Sequence, residues 1–236
     1  MIFNKIKIFT YIVTFITLFY SIQTYIASID LYKPKEIRVV GDNFVSKLEV
    51  IEIVNKSIEN NNILNINIKN IQENINSNPF IEKSKVYFSL PSTVEIIIKE
   101  IRPLALFQIN NDIYFLDDKN NKIKANNNSI NFFSVPILTI YDDQINYRAT
   151  TDFLNLIKSN NKNLFYSIND LTFKNELIII SLINGTKIKM KKDHEINNTK
   201  KLLSFINSIN GHQLISDFKY VDLSIPKQII VKENKI

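Results

Sequence analysis

Residues Asn78 to Phe107 read NPFIEKSKVYFSLPSTVEIIIKEIRPLALF, and their reading decides the fold. Val86, Phe88 and Leu90 alternate with Tyr87 and Ser89, and Val94, Ile96 and Ile98 alternate with Glu95, Ile97 and Lys99. A period of two sends successive side chains to opposite faces of a strand. Pro91-Ser92-Thr93 lies between the two runs and joins them as a hairpin. Upstream, Ser77-Asn78-Pro79 ends a helix that carries Ile68, Ile71 and Ile75 at spacings of three and four, because the residue before a proline is pushed out of the helical region. Before that, Ser46-Lys47-Leu48-Glu49 has the form of a capping box, and Ile51, Val54 and Ile58 follow at helical spacing. EIRVVGDN, from Glu36, reads as a short strand carrying Ile37 and Val39 that turns at Gly41. The order is strand, helix, helix, strand, strand. Two helices then cover one face of a three-stranded sheet, and an outer strand keeps unpaired backbone groups.

Further along, ELIIISLINGTKIKMKK (Glu176 to Lys192) places Asn184-Gly185 between two strands, the signal of a type I′ hairpin. A helix is expected from about Thr151 to Lys162, carrying Phe153, Leu156 and Ile157, and another from Asn197 to Asn207 with Leu202, Phe205, Ile206 and Ile209 turned inward. YVDLSIPKQIIVK (Tyr220 to Lys232) alternates Val221, Leu223 and Ile225 with Asp222 and Ser224, breaks or bulges at Pro226, and resumes at Ile229.

At the other end of the sequence, Ile8 to Ile29 reads IFTYIVTFITLFYSIQTYIASI without a charge. That length suits a helix crossing the hydrocarbon core of a bilayer. A cleaved signal needs small residues three and one before the cut, and Tyr25 and Ile26 near Ala27 and Ser28 fit that poorly. An interfacial helix needs a basic face, which this stretch lacks. The reading taken is a spanning helix. Lys5 and Lys7 precede it, while Lys33, Lys35 and Arg38 follow, so lysine and arginine alone do not orient it.

The 236 residues are 45% apolar and 22% charged, enough for one or two domains with packed cores. Asn, Ile and Lys are abundant while Gly numbers 3 and Trp 0, which reads as codon bias. The asparagine runs at Asn60 to Asn62, Asn126 to Asn128 and Asn160 to Asn161 are then loop markers only. Cysteine is absent, which excludes disulfides, thiol nucleophiles and thiolate metal sites. The net charge of +6 is spread along the chain apart from Lys187 to Lys192, a solvated strand face rather than a nucleic-acid surface. His194 and His212 are the only histidines, and no zinc spacing, phosphate-cradling loop or nucleophile elbow occurs. Asp117-Asp118 and Asp142-Asp143 sit where turns are expected, and adjacent carboxylates do not span a cleft as a glycosidase requires. The reading is of a binding protein with no cofactor, not of an enzyme.

The β-α-α-β-β unit beside a single span resembles a POTRA domain. The matching residues are VVGDN (Val39 to Asn43), VSKLEV (Val45 to Val50), NILNINIKNIQENI (Asn62 to Ile75) and, most strongly, the quoted stretch from Asn78. Its proline-aromatic step, "P-x-T" turn and "E-x-x-P-x-A" segment are similar to those of the FtsQ/DivIB family of bacterial cell-division proteins, with Phe80 where the family often has Trp. DIYFLD (Asp112 to Asp117), VPIL (Val135 to Leu138) and the YVDL of Tyr220 to Leu223 resemble later family strands.

The resemblance implies an α+β protein: a short cytoplasmic tail (1–7), a transmembrane helix (8–29), a small POTRA-like domain (35–103) and a mostly antiparallel β domain with two helices (104–236). It implies a non-enzymatic scaffold in the inner membrane, with the larger domains periplasmic or otherwise extracytoplasmic and enriched at the septum, helping to regulate septal wall synthesis. The implied partners are the small bitopic proteins FtsB and FtsL, other divisome membrane proteins and the lipid bilayer, with no nucleic acid. They would add a strand along Tyr220, Asp222, Leu223, Ser224, Ile225 and Lys227. The family often has Arg and Tyr where Ser224 and Ile225 stand, so side-chain contacts differ while backbone pairing is kept. The alternative is a POTRA-bearing envelope assembly or secretion factor.

Overall fold

Gly41 stops the first strand and turns the chain into the first packed helix. Its φ is +92°, and a Cβ there would lie 2.2 Å from the carbonyl oxygen of Ile98. Only glycine meets both demands. In the computed structural model, the described residues are 2–28, 33–58, 66–140, 146–192, 195–209 and 211–234. Asn60 to Asn62, Asp142-Asp143 and His194 lie outside them. The chain divides into two units, Met1–Glu100 and Ile101–Ile236.

The first unit opens with helix α1 (Ile2–Ser28). Its stretch Ile6–Tyr25 is long and apolar enough to cross a membrane, and none of it is buried in the protein. The hydroxyls that dilute its hydrophobicity bond within the helix: Thr14 donates to the Thr10 carbonyl at 2.8 Å and Ser21 to that of Thr17 at 2.9 Å. Hydroxyls satisfied in this way carry little penalty in lipid. The helix fits a transmembrane anchor.

Strands β1 (Glu36–Val40), β2 (Ile81–Ser89) and β3 (Thr93–Glu100) form a sheet in the order β1-β3-β2. β1 runs parallel to β3, pairing Ile37 with Val94 and Val39 with Ile96, while β2 and β3 form the antiparallel hairpin. Parallel neighbours need a crossover, which α2 (Lys47–Ile58) and α3 (Ile68–Asn76) supply. The buried stripe of α2 is Val50, Val54 and Ile58, with Ile51 half-buried beside it. It packs with Ile71 and Ile75 over Val86, Val94, Ile96 and Ile98. One Glu100 carboxylate oxygen accepts the backbone N–H groups of Asn43, Phe44 and Val45 at 3.0, 2.9 and 2.8 Å, fixing the entry to α2. Glu49, expected to reach back to its own cap, accepts the Asn78 side-chain amide at 2.9 Å and ties the start of α2 to the loop after α3.

The second unit is a nine-stranded sheet in the order β12-β11-β10-β9-β8-β7-β4-β5-β6. Its strands are β4 (Pro103–Ile109), β5 (Asp112–Asp117), β6 (Lys122–Lys124), β7 (Ile137–Ile140), β8 (Ile168–Lys174), β9 (Leu177–Leu182), β10 (Lys187–Lys191), β11 (Phe218–Asp222) and β12 (Ile230–Glu233). Neighbours are antiparallel except at β4–β7, β7–β8 and β10–β11. Two long helices, α5 (Tyr147–Asn160) and α7 (Glu195–Ile209), cover one face, and the shorter α4 (Asn127–Phe132) and α6 (Lys162–Ser167) add to the expected pair. Phe153, Leu154, Ile157, Phe165 and Leu202 form the core with Ile178, Ile180, Ile188 and Val221. The whole is α+β, as its alternations predict.

Asparagine shapes much of this. Asn67, Asn126, Asn146 and Asn161 cap α3 to α6, their side chains accepting backbone N–H groups of the first turn. The runs read as loop markers thus include helix starts, and Asn146 caps α5, whose first residue Tyr147 lies four before Thr151. Asn110 and Asn175 take left-handed backbone, φ 53° each, in the hairpins β4–β5 and β8–β9. The type I′ turn expected at Asn184-Gly185 is not formed. Gly185 has φ +92° but Asn184 does not take positive φ, and type I′ needs both. Gly185 N–H bonds the Leu182 carbonyl, and Leu182 N–H bonds Thr186, closing a longer loop over Ile183 to Gly185.

Gly41→Ala should therefore destabilise its unit by at least about 2 kcal/mol, because backbone stands in the way of the new methyl group. Gly185→Ala, with open space around it, should cost only about 1 kcal/mol. Denaturant unfolding of the two variants compares them. Equal losses would remove the close approach to Ile98 as the reason for glycine at position 41.

Candidate partner-binding site

The strand expected to be free is held on both sides. β11 follows α7, whose crossover lets it run parallel to β10, and the register pairs Tyr220 with Lys187, Val221 with Ile188 and Asp222 with Lys189. Leu223 N–H extends this ladder to the Lys189 carbonyl at 2.8 Å. The buried Thr186 hydroxyl donates to the Phe218 carbonyl at 2.7 Å, and the Asn184 amide donates to the Ser216 carbonyl at 3.0 Å, so the β9–β10 loop grips the approach to β11. On the other side β12 pairs antiparallel: Lys232 with Tyr220, Val231 with Val221 and Ile230 with Asp222. The edge position expected for Tyr220 to Ile225 is therefore corrected. β11 is interior, and β12 is the edge of the sheet. The signal that finds it is Ile229-Ile230-Val231, a β-branched run directly after the Pro226 turn.

The six residues expected to meet a partner take different places. Leu223 is buried in the core. Tyr220 and Asp222 are half-buried on the face away from α7, with the Lys189 ammonium 5.6 Å from the Tyr220 ring centre. Ser224 donates both its backbone N–H and its hydroxyl to the Asp222 carboxylate, so its N–H is already used. Ile225 and Lys227 are exposed in the connection to β12. Gln228 N–H returns to the Ile225 carbonyl at 3.4 Å, with Pro226 second and Lys227 third at φ 59°, the pattern of a type II turn. Glycine is the usual residue at that third position, so Lys227 is strained.

Both ends of β12 are anchored. At the start, the Lys201 ammonium on α7 donates to the Ile225 and Gln228 carbonyls and grips the turn. At the finish, Gln213 donates to the Glu233 carboxylate at 2.9 Å, Asn234 N–H donates to the Asp217 carbonyl at 2.8 Å and the Asn234 amide donates to the Ser216 carbonyl at 3.1 Å. Asn234 thus turns its backbone toward β11. Backbone direction alternates along an antiparallel strand, so Ile230 and Lys232 also face β11 while Val231 and Glu233 offer their N–H and C=O groups outward.

The opposite edge differs. β6 has three residues, two of them lysines, and Lys124 pairs with Asp112 at 2.9 Å across the hairpin. That is a guarded edge. β12 instead leaves Ile230 39% and Val231 38% exposed. The Asp117 carboxylate accepts the backbone N–H groups of Lys119 and Asn121, the turn chemistry expected at that pair. His212 is exposed. Among the described residues no group of three His, Asp or Glu side chains is placed to hold a metal ion.

The FtsQ-type POTRA domain model matches residues 32–100. The chain is 30% identical to cell division protein DivIB of Clostridium acetobutylicum over 201 residues, covering 80% of this chain and 78% of that one. It is 28% identical to cell division protein DivIB of Clostridium botulinum over 227 residues, covering 90% and 86%. Among solved structures, the major extracytoplasmic domain of DivIB from Geobacillus stearothermophilus matches 49% of this chain and 98% of its own, at 10% identity and a TM-score of 0.31.

Two substitutions test the anchoring of β12. Lys201→Met removes a half-exposed ammonium from two carbonyls, worth about 1 kcal/mol, so hydrogen exchange of the β12 ladder amides should quicken roughly fivefold while that of β9 is unchanged. Lys227→Gly exchanges a left-handed strain of about 1–2 kcal/mol for the greater chain entropy of glycine. A gain of about 0.5–1 kcal/mol in unfolding free energy is expected, and a loss would mean that the lysine side chain supports the turn.

Proposed function

Because the chain belongs to the FtsQ/DivIB family of bacterial cell-division proteins, we propose that it is a non-enzymatic, membrane-anchored scaffold of the division site whose β12 receives a strand from FtsB or FtsL. In this reading residues 1–7 are cytoplasmic, α1 crosses the cell membrane, both larger units are extracytoplasmic, and the protein gathers at the septum and helps to regulate wall synthesis there. The observation that carries the docking reading is β12 itself: an unpaired edge with exposed apolar residues, tied down at both ends. Adding a strand to such an edge draws affinity from main-chain hydrogen bonds and specificity from the side chains beside them. Lys232, at the level of Tyr220 and Lys187, lines one face of the docking zone, and Val231 lines the other. Tyr220, Asp222, Ser224, Ile225 and Lys227 contribute from the flank. Leu223 acts only by holding β11 in the core. Confinement of both partners to the membrane plane raises their effective concentration, so a modest edge interaction suffices.

Val231→Pro removes an outward donor and leaves the N–H groups facing β11 in place, a substitution an edge strand tolerates. With the full chain in detergent and FtsB and FtsL from the same organism, the variant should melt as the wild type does and bind at least about tenfold more weakly, the loss of about 1.4 kcal/mol. Unchanged affinity in a folded variant would rule out strand addition at β12.

A further inference from the structure

The first unit carries a second exposed apolar feature, at the tip of the β2–β3 hairpin. Leu90 is 67% exposed there, beside exposed Ser89 and Pro91. No charged residue occurs from Val86 to Val94. The chain arriving from α1 is bonded to this same tip: Lys35 N–H donates to the Ser92 carbonyl at 2.8 Å, and Glu36 N–H approaches it at 3.4 Å. Because β1 runs parallel to β3, Glu36 and Thr93 stand opposite each other at one end of the sheet. The exposed Lys33 and Lys35 therefore lie at the end that carries Leu90. Among the described residues, the nearby acids Glu36 and Glu95 both approach Arg38, at 3.1 and 3.7 Å.

We infer that this tip rests on the membrane surface, with Leu90 and Pro91 entering the interfacial zone and Lys33 and Lys35 meeting anionic lipid headgroups. The inference rests on α1 spanning the bilayer. From Ser28 to Lys35 an extended chain reaches no farther than about 25 Å, so the tip is tethered near the surface whatever its own affinity. An apolar tip among lysines is the chemistry that an anionic interface rewards. One leucine and two lysines are too little to hold a free domain on lipid; the tether supplies the proximity and the tip supplies orientation. Glu100, at the far end of β3, is then directed away from the bilayer, and the chain continues from it at Ile101.

The absence of native cysteine makes a direct test available. An environment-sensitive fluorophore is placed on Leu90→Cys in the full chain, reconstituted in vesicles of phosphatidylglycerol and phosphatidylcholine. Ser77→Cys, exposed after α3, and Thr17→Cys, within α1, are labelled in parallel. The Leu90 label is expected to shift to the blue and lose intensity to nitroxide-bearing lipids, with a smaller effect when phosphatidylcholine is the only lipid. The Ser77 label should report water and the Thr17 label lipid. Water-like emission at position 90 with lipid-like emission at position 17 overturns the docking and leaves the anchor standing. Water-like emission at both overturns the docking together with the spanning reading. A blue shift at position 90 without nitroxide quenching means that protein covers the tip, and this too overturns the proposal.

Discussion

The parallel pairing of β10 with β11 is the constraint on which the exposed edge of the large sheet depends. Parallel neighbours cannot be joined by a tight turn, so the chain leaves β10, crosses the sheet as α7 and returns along β11. The crossover succeeds because Leu202 and its half-buried neighbours Phe205, Ile206 and Ile209 pack on the sheet. The buried Thr186 hydroxyl bonded to the Phe218 carbonyl holds the returning strand in register where it begins. Once β11 is locked beside β10, it has one edge left, and the short turn at Pro226 fills it with β12. The crossover helix also brings Lys201 over that turn. One topological choice therefore buries the YVDL strand, selects β12 as the exposed edge and places the cation that steadies its start.

Much of this was legible in the sequence because period and proline are local signals. The hairpin from Val86 to Ile98, the two helices before it and the inward side chains of α7 follow directly from spacing. The identity of the edge was not legible. Val221, Leu223 and Ile225 alternate as an edge strand would, and nothing local says that both sides of that strand are occupied. Only the long-range pairing of Lys187 with Tyr220 and Lys232 with Tyr220 decides it. Asparagine misled for a different reason. In a chain with three glycines and abundant asparagine, composition looks like bias without structural content. Yet an asparagine side chain both accepts first-turn N–H groups and tolerates the left-handed region, and it does the first at Asn146 and the second at Asn110 and Asn175. Codon bias and structural use are compatible, since bias supplies the residue and the fold retains it where its geometry is useful. The turn at Asn184 failed as a prediction because its side chain bonds Thr186 and Ser216. That tertiary link competes with the two-residue turn.

The two ends of the large sheet are treated unequally, and this bears on function. An exposed apolar edge invites unwanted pairing, and proteins usually blunt it with charge or shortness. β6 has both. β12 carries Lys232 and Glu233 in its second half but presents Ile230 and Val231 in its first, and the turn before it retains a left-handed lysine where glycine would be easier. Strain kept beside an edge with an exposed apolar pair is a combination that stability alone does not favour. In the proposed docking, a partner strand would cover the apolar pair and complete the ladder.

Ser224 and Ile225 take definite places beside this edge. Neither residue belongs to the edge: Ser224 bonds Asp222, and Ile225 opens the turn. Their identities affect how β11 hands the chain to β12, not which backbone groups β12 offers. Main-chain pairing requires only that Val231 and Glu233 face outward, and the Asn234–Asp217 bond sets that direction. The backbone of β12 is fixed from outside the strand, by Lys201 of α7 at the turn and by Gln213, Ser216 and Asp217 at its far end.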